Sequence, residues 1–364
     1  MKIKEITDYL EGFAPLHYQE TYDNCGLIVG DSQKNISGAL ITLDCTEKVV
    51  DEAISNNCNL IIAHHPIIFG SIKKINGKNY VERVIIKAIK NDIAIYAIHT
   101  NLDNVHGGVN SKIAEKLELK NCKILRPKSK FIKQLVVYCP GTHAELLKNS
   151  LFESGAGEFN RYDNCSFSVG GEGTFRPKDG SNPFIGVNGI TESVSEKRLE
   201  FFYNLADEKN ILDCMFNIHP YEQVAYQTYS LDNISSEIGS GMIGFLEKEV
   251  ESKEFLMKVK QIMKTDCIRH TSLVRKKIRK VAICGGSGSF LLNDAIASNA
   301  DIFVSSDFKY HEFFDADENI IIADIGHFES EQYTKELIYD LLREKFTKFA
   351  IQLSKLNTNP INYL

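Results

Sequence analysis

The 364-residue chain is longer than one hydrophobic core usually serves, so two or three domains are expected. With 43% hydrophobic and 25% charged residues its make-up is that of a globular protein, not a disordered one. The net charge of -6 argues against a general nucleic-acid binder, while leaving a local basic patch open. No run of about 18 apolar residues occurs, so no membrane span is expected. The opening residues are charged and helical in pattern and lack a signal peptide's apolar core. Nine cysteines, an odd number with no Cys-x-x-Cys pair, suggest reduced thiols in a cytoplasmic protein and no thiolate zinc finger.

Ile3, Ile6, Leu10 and Phe13 recur at helical spacing and open the chain with an amphipathic helix. A turn-rich entry from Thr21 leads into an apolar strand ending at Gly30, and Gly38 to Asp44 reads as another strand. Thr46 is a plausible N-cap for a helix carrying Val49, Val50, Ala53 and Ile54. The apolar run Leu60 to Ala63 then ends in His64, His65 and Pro66. A helix around Val81 to Lys90 and a strand Ile93 to Ile98 follow, the latter running into His99-Thr-Asn-Leu-Asp103. Strands alternating with helices imply a mostly parallel sheet with both faces covered.

The pattern changes after about Lys128. Phe131 to Cys139 reads as a strand, Ala144 to Ser154 as a helix, and Gly155 to Gly189 as glycine-rich hairpins. A helix near Glu196 to Ala206, a strand near Leu212 to Ile218 and the stretch His219-Pro-Tyr-Glu222 complete a small α+β module. From Lys280 the α/β rhythm returns, with strands at Val281 to Cys284, Asp301 to Ser305 and Asn319 to Ala323 and a long final helix. The expected fold is a discontinuous three-layer α/β core, residues 1–128 and 271–364, interrupted by an α+β insert over 129–270.

Three strand ends offer histidines and carboxylates: His64 and His65, His99 and Asp103, His327 and Glu331. In open α/β sheets, ligands collect at the carboxyl ends of strands. His64 and His65 face opposite ways on a strand, whereas His327 and Glu331, four apart, share one helix face. Imidazoles and carboxylates without thiolates suit zinc, with iron and manganese as alternatives, better than calcium. Five ligands exceed the need of one four-coordinate ion, and a carboxylate bridging two ions is the usual two-metal arrangement. The expected assignment is His64 with Asp103 on one ion and His65 with His327 on the other, Glu331 bridging. Each has a plainer reading: Asp103 could bond its own loop, and Glu331 could be a carboxylate favoured at a helix start. His99 reads either as a group orienting a ligand or as structural. Asp307 and His311, near a further strand end, are candidates for proton transfer or substrate contact. Gly285-Gly-Ser-Gly-Ser resembles a phosphate cradle but lacks the P-loop Gly-Lys-Ser/Thr, and reads first as a tight strand-to-helix turn.

Together these stretches resemble the Nif-three-like family, whose members are often labelled GTP cyclohydrolase I type 2 homologues. Asp23-Asn-Cys-Gly-Leu-Ile-Val-Gly30 is similar to its N-terminal signature. Ala63-His-His-Pro-Ile-Ile-Phe69, His99-Thr-Asn-Leu-Asp103 and Gly326-His-Phe-Glu-Ser-Glu331 match its three metal motifs. Cys284-Gly-Gly-Ser-Gly288 and Ser306-Asp-Phe-Lys-Tyr-His311 correspond to two more. The departures are Tyr22, where tryptophan is usual, and Ser305-Ser306, where Thr-Gly is common. The resemblance implies a dinuclear site of two divalent ions on His64, His65, Asp103, His327 and Glu331. It also implies a ring-shaped homohexamer with the metals facing its cavity, and a middle domain resembling the PII and CutA proteins, matched by Gly155 to Gly186 and His219 to Ala225. The implied activity is opening of the GTP purine ring to a dihydroneopterin triphosphate and formate. A regulatory, non-catalytic metal-binding assembly and a metal-dependent phosphoesterase on nucleotides or nucleic acid stand as alternatives.

Overall fold

The computed structural model describes residues 1–158 and 162–364; residues 159–161, inside the glycine-rich stretch, lie outside it. The described chain divides into two compact units, residues 1–127 with 236–364, and residues 128–235.

In the first unit, α1 (Ile3–Phe13) buries Ile3, Ile6 and Leu10, and the Lys2 backbone N–H donates to the Glu5 carboxylate at 2.6 Å to cap it. Then come β1 (Gly26–Val29), β2 (Ala39–Thr42), α2 (Glu47–Ser55), β3 (Leu60–Ala63), α3 (Tyr80–Lys90) and β4 (Ala94–Ala97). Thr46 caps α2 by accepting from Val49 N at 3.4 Å, and Asn79 caps α3 by accepting from Glu82 N at 2.9 Å. Every residue of β2, β3 and β4 is buried, which is why these strands read as continuous apolar runs and not as alternating ones. They pair in parallel, Ala39 with Leu60 and Leu60 with Ala94. After the short α4 (Thr100–Asp103) and α5 (Val109–Lys116), β5 (Lys120–Ser129) leads to the second unit.

The second unit holds β6 (Ile132–Pro140), α6 (Ala144–Glu153), β7 (Ser166–Phe175), β8 (Glu192–Asn204), α7 (Glu208–Ile218) and β9 (Tyr226–Ser230). Its antiparallel sheet runs β7-β8-β6-β9, and Leu135, Val137, Phe201 and Tyr203 form one core with Leu147, Leu151, Ile211 and Met215 of the two helices. Two sequence expectations are corrected here. Glu196 to Ala206 is chiefly strand, because Leu199, Phe201 and Tyr203 alternate inward with period 2. Leu212 to Ile218 is helix, because Ile211 and Met215 share one buried face four residues apart. His219-Pro-Tyr-Glu222 is a bend tied to its own sheet: His219 Nε2 lies 2.9 Å from the Tyr138 carbonyl, and the Tyr221 hydroxyl donates to Glu196 at 2.9 Å.

The chain re-enters the first unit on the 18-residue β10 (Ile234–Glu251) and α8 (Ser252–Ile262). β11 (Arg269–His270), β12 (Lys277–Ser287), α9 (Leu292–Ala297), β13 (Ile302–Ser306), β14 (Ile321–Asp324), α10 (His327–Glu331), α11 (Thr334–Lys345) and β15 (Ile351–Leu353) follow. The insert expected to reach residue 270 ends at Ser235, because β10 pairs with β12 and α8 buries Phe255 and Val259 in the first unit's core. One mostly parallel sheet was expected, whereas this unit has two, ordered β1-β4-β3-β2-β15 and β11-β14-β13-β12-β10-β5. Each half of the chain pairs its own consecutive strands in parallel, and antiparallel β1, β10 and β11 join these groups. β15 returns to pair with β2, so the final segment completes the first sheet. The whole is a mixed α/β fold of several sheets and helices.

Candidate metal centre

Past the last paired residues of β2 and β3, His64 N donates to Thr42 O at 3.2 Å and His65 N to Leu43 O at 3.0 Å. Two consecutive N–H groups thus turn to the same neighbouring segment, so the chain bends at His64 and the expected opposite facing gives way to two imidazoles on one site, their ring centroids 5.0 Å apart; Pro66 follows with no N–H to extend the pairing. The neighbouring strand ends present Asp44 after β2 and His99 with α4 after β4. In the second sheet, β13 ends beside Asp307, and β14 runs through Gly326, at φ +93, into α10. The φ of Gly326 is one that favours glycine, and a Cβ there, 2.3 Å from a Glu329 carboxylate oxygen, would also displace that side chain.

Three donor groups result, and Glu331 belongs to two of them. His64, Asp103 and Glu331 form one; His65, His327 and Glu331 form another; His99 joins His64 and His65 in a third. Within each, the ligand atoms lie within 4.8 Å of one another. Glu331 Oε2 is 2.9 Å from His65 Nε2 and 3.1 Å from His327 Nε2, and those two nitrogens are 3.3 Å apart. Donors at about 2.0–2.1 Å from a tetrahedral ion are roughly 3.3 Å apart, so this trio has the spacing of a coordination sphere. Glu331 Oε1 faces the other way, 3.8 Å from His64 Nε2, which is in turn 3.6 Å from Asp103 Oδ1.

Each imidazole is held by its Nδ1. The Ile98 carbonyl, which can only accept, is 2.8 Å from His64 Nδ1, so that nitrogen carries the proton and Nε2 turns a lone pair toward two carboxylates. Asp44 lies 2.8 Å from His65 Nδ1, Asp307 2.6 Å from His327 Nδ1, and Asp23 2.9 Å from His99 Nδ1. Carboxylate–histidine pairs of this kind fix the ring and its tautomer in metal sites. His64 Nε2 and Asp103 Oδ1 are both buried and neither has a hydrogen-bond partner. A buried lone pair facing a buried anion is unfavourable unless a cation lies between them, so the residues present fit a metal ion.

The titration behaviour without metal expresses the same demand for cations. Burial pulls the His327 imidazole down, but Glu331 and Asp307 outweigh it and raise the pKa to about 11. For His65, burial is likewise outweighed by Asp44 and Glu331, giving about 9. Burial pushes Glu331 up, yet the surrounding histidines, His327 foremost, hold it well below the ordinary carboxylate range. Burial, with the Glu331 charge adding to it, raises Asp103 to about 6. Burial also pushes the Cys284 thiol up, helped by Asp103 and Glu331, so it supplies no thiolate.

The glycine motif serves the site sterically. Gly286 has φ +61, and a Cβ there would stand 2.3 Å from Glu331 Oε1. Its N–H donates to Ser330 Oγ at 2.9 Å, and its carbonyl accepts from Ser305 and Ser306. The donor groups open into a cavity of about 1070 Å³ whose lining includes Tyr22, Phe69, Tyr80, Phe290 and Phe328. Of the eight residues singled out in the sequence, six come together here: His64, His65, His99, Asp103, His327 and Glu331. Asp307 reaches the site through His327. His311 does not line the cavity; its exposed ring lies beside Tyr310 and Phe314. Sequence reasoning missed Asp44 and the His99-holding role of Asp23, whose only local signal is a position just after β2 and just before β1 respectively.

Several comparisons bear on this arrangement. Residues 1–360 match the family described as Duf34/NIF3 (NGG1p interacting factor 3). A Bacillus subtilis protein named "GTP cyclohydrolase 1 type 2 homolog" is 38% identical over 367 aligned residues, covering 99% of this chain and 98% of the relative. Among solved structures, a Bacillus cereus protein related to NIF3 superposes with a TM-score of 0.84 at 38% identity, covering 100% of this chain and 99% of the other. Staphylococcus aureus protein SA1388 does so with a TM-score of 0.79 at 28% identity, with the same coverage. With a match along nearly its whole length and full-length relatives above 30% identity, the chain belongs to the Duf34/NIF3 family.

Proposed function

We propose that the protein binds two divalent metal ions, zinc first among them with iron or manganese as alternatives, and acts as a metal-dependent hydrolase. His64, Asp103 and Glu331 would hold one ion, and His65, His327 and Glu331 the other. The observation that carries this reading is the pair of buried, unpartnered atoms, His64 Nε2 and Asp103 Oδ1, facing each other beside a carboxylate shared by both donor groups. Bound ions would supply Lewis acidity and an acidified water. The chain's own part is orientation: Asp44 and Asp307 hold His65 and His327, while the cavity's aromatic side chains give a planar substrate faces to stack on. His99, with Nδ1 tied to Asp23, leaves its other ring nitrogen to take or give a proton beside the substrate.

The name carried by the relatives makes GTP the first substrate to test, with ring opening and release of formate as the reaction. Among the described residues that line the cavity, Lys48 is the one lysine or arginine, so a triphosphate would depend on it and on the bound ions for countercharge. The same scarcity weighs against a phosphoesterase acting on nucleic acid. A toroidal homohexamer, a PII/CutA-like middle unit and a cytoplasmic location complete the proposal. The first two rest on the family resemblance, and the free state of all nine cysteines supports the last.

The test is metal content together with GTP turnover, followed by formate release in one purified sample. About two ions per chain with metal-dependent formate is the expected result. Two ions without formate would shift the reading to a regulatory metal-binding assembly, or to hydrolysis of another substrate. A protein that neither holds nor takes up metal would overturn it.

A further inference from the structure

The segment after β15 lies along the cavity: Leu356, Asn357, Thr358, Asn359, Pro360 and Ile361 all contribute to its lining. It is anchored at its start, where Ser354 N donates to the Ile41 carbonyl at 2.8 Å. There the Ser354 hydroxyl and Lys355 N also donate to the two oxygens of Glu52, at 2.6 and 2.9 Å. Four residues on, it meets the donor groups from two sides. The Thr358 hydroxyl donates to Asp44 Oδ2 at 2.6 Å. The Asn359 amide donates to Glu329 Oε1 at 3.0 Å, and Glu329 sits on α10 between His327 and Glu331.

Asp44 is the hinge of this arrangement. Its Oδ1 accepts from His65 Nδ1 at 2.8 Å while its Oδ2 accepts from Thr358. Rotation of the carboxylate about its Cβ–Cγ bond carries both oxygens, so one hydrogen bond restrains that rotation and a second, on the other oxygen, restrains it further. Thr358 therefore fixes the plane of the Asp44 carboxylate, and through it the ring plane and tautomer of His65. Asn359 does the equivalent for α10 through Glu329, whose side chain is buried.

We infer that residues 354–361 form a strap that positions the donor atoms, with Thr358 as a positioning residue for His65 acting through Asp44. The inference rests on the proposed metal site at His65. Nothing in the local sequence marks Thr358, which is 314 residues from Asp44. A group that orients a metal-bound histidine is typically worth about 10–100-fold in metal affinity.

The experiment is titration of chelator-treated protein with Co²⁺, read by visible absorption, for wild type, Thr358→Val and Thr358→Ser. Valine keeps the shape and removes the hydroxyl; serine restores it. The expected result is about 10-fold weaker Co²⁺ binding with an altered absorption band for Thr358→Val. Thr358→Ser should keep the wild-type spectrum and bind within about threefold of wild type, a rescue that a merely space-filling threonine would not produce. Wild-type affinity and spectrum in Thr358→Val overturn the positioning role while leaving the metal site standing. Equal loss in both variants also overturns it, because the hydroxyl would then not be the cause. Absence of Co²⁺ uptake by the wild type overturns the metal site itself, and the strap's role with it.

Discussion

His64 Nε2 lies 3.6 Å from Asp103 Oδ1, and both atoms are buried without a hydrogen-bond partner. The distance is too long for a hydrogen bond and short enough to place the imidazole lone pair and the carboxylate charge in one small volume. In the absence of a cation this contact is a local defect of the fold.

Asp103→Asn should therefore separate stability from metal binding. The amide can donate to His64 Nε2 and removes a buried charge, so the metal-free variant should be more stable than metal-free wild type by about 1–3 kcal/mol. With metal present the order should reverse, because a neutral amide is the poorer ligand. Thermal melting of both proteins, with chelator and with Zn²⁺, checks both halves of the statement.

Protons and a metal ion would compete for the same nitrogens. His65 and His327 have pKa values raised to about 9 and about 11, so their stabilising protonation is complete below the ordinary imidazole value of 6.5 and is lost as pH rises through the raised values. Asp103, raised from 3.8 to about 6, takes on its destabilising charge between those two values, so its effect is largely complete by about pH 6. Metal-free protein should consequently melt at a lower temperature at pH 10 than at pH 6. Metal affinity should rise over the same interval, with proton release on binding measurable as a buffer-dependent heat. A metal-free melting temperature that climbs from pH 6 to pH 10 would refute the assignment of these protons.

Gly286→Ala tests the steric role of the glycine motif. The added Cβ would sit 2.3 Å from Glu331 Oε1 at a backbone φ of +61. The left-handed backbone alone costs about 1–2 kcal/mol, and the collision must move the shared carboxylate. The expected outcome is loss of bound metal with the far-ultraviolet circular dichroism spectrum retained. Full metal content in this variant would mean that Glu331 has more room than the geometry gives it.

Asp23→Asn should destabilise the fold even without metal. The carboxylate is fully buried and accepts from Thr100 N at 3.0 Å, from the Thr100 hydroxyl, from His99 Nδ1 at 2.9 Å and from the Cys25 thiol at 3.2 Å. An amide would turn donors toward donors, at a cost of about 1–3 kcal/mol. Burial acts against ionisation, but His99 and Thr100 outweigh it and hold the carboxyl well below its usual 3.8. The stabilisation is thus complete above that usual value and fades as pH falls toward the lower, folded-state value. In urea unfolding, the gap between wild type and variant should be wider at pH 7 than at pH 3.

The residues that stand at strand ends were readable because a strand end, a His-His pair and an i, i+4 His/Glu pair are all local patterns. What orients them was not. Asp44 meets His65 across 21 residues, Asp23 meets His99 across 76 and Thr358 meets Asp44 across 314, and no spacing rule reaches that far. The fold shows the same division. The buried parallel strands β2 to β4 announce themselves by continuous apolar runs, but which of two sheets a strand joins depends on partners distant in sequence. In the second unit the signal is local: Glu196 to Ala206 reads as a helix in the sequence, although Leu199, Phe201 and Tyr203 alternate as a half-buried strand requires.

Glu331 and His65 meet across 266 residues of chain. While the protein is being synthesised, a nascent chain that has emerged only as far as its middle carries His64, His65, His99 and Asp103 but neither His327 nor the shared carboxylate. Such a chain can offer an ion only a partial set of donors. Full coordination becomes available when α10 leaves the ribosome and docks, so capture of metal at this site would report that the first unit has closed on itself.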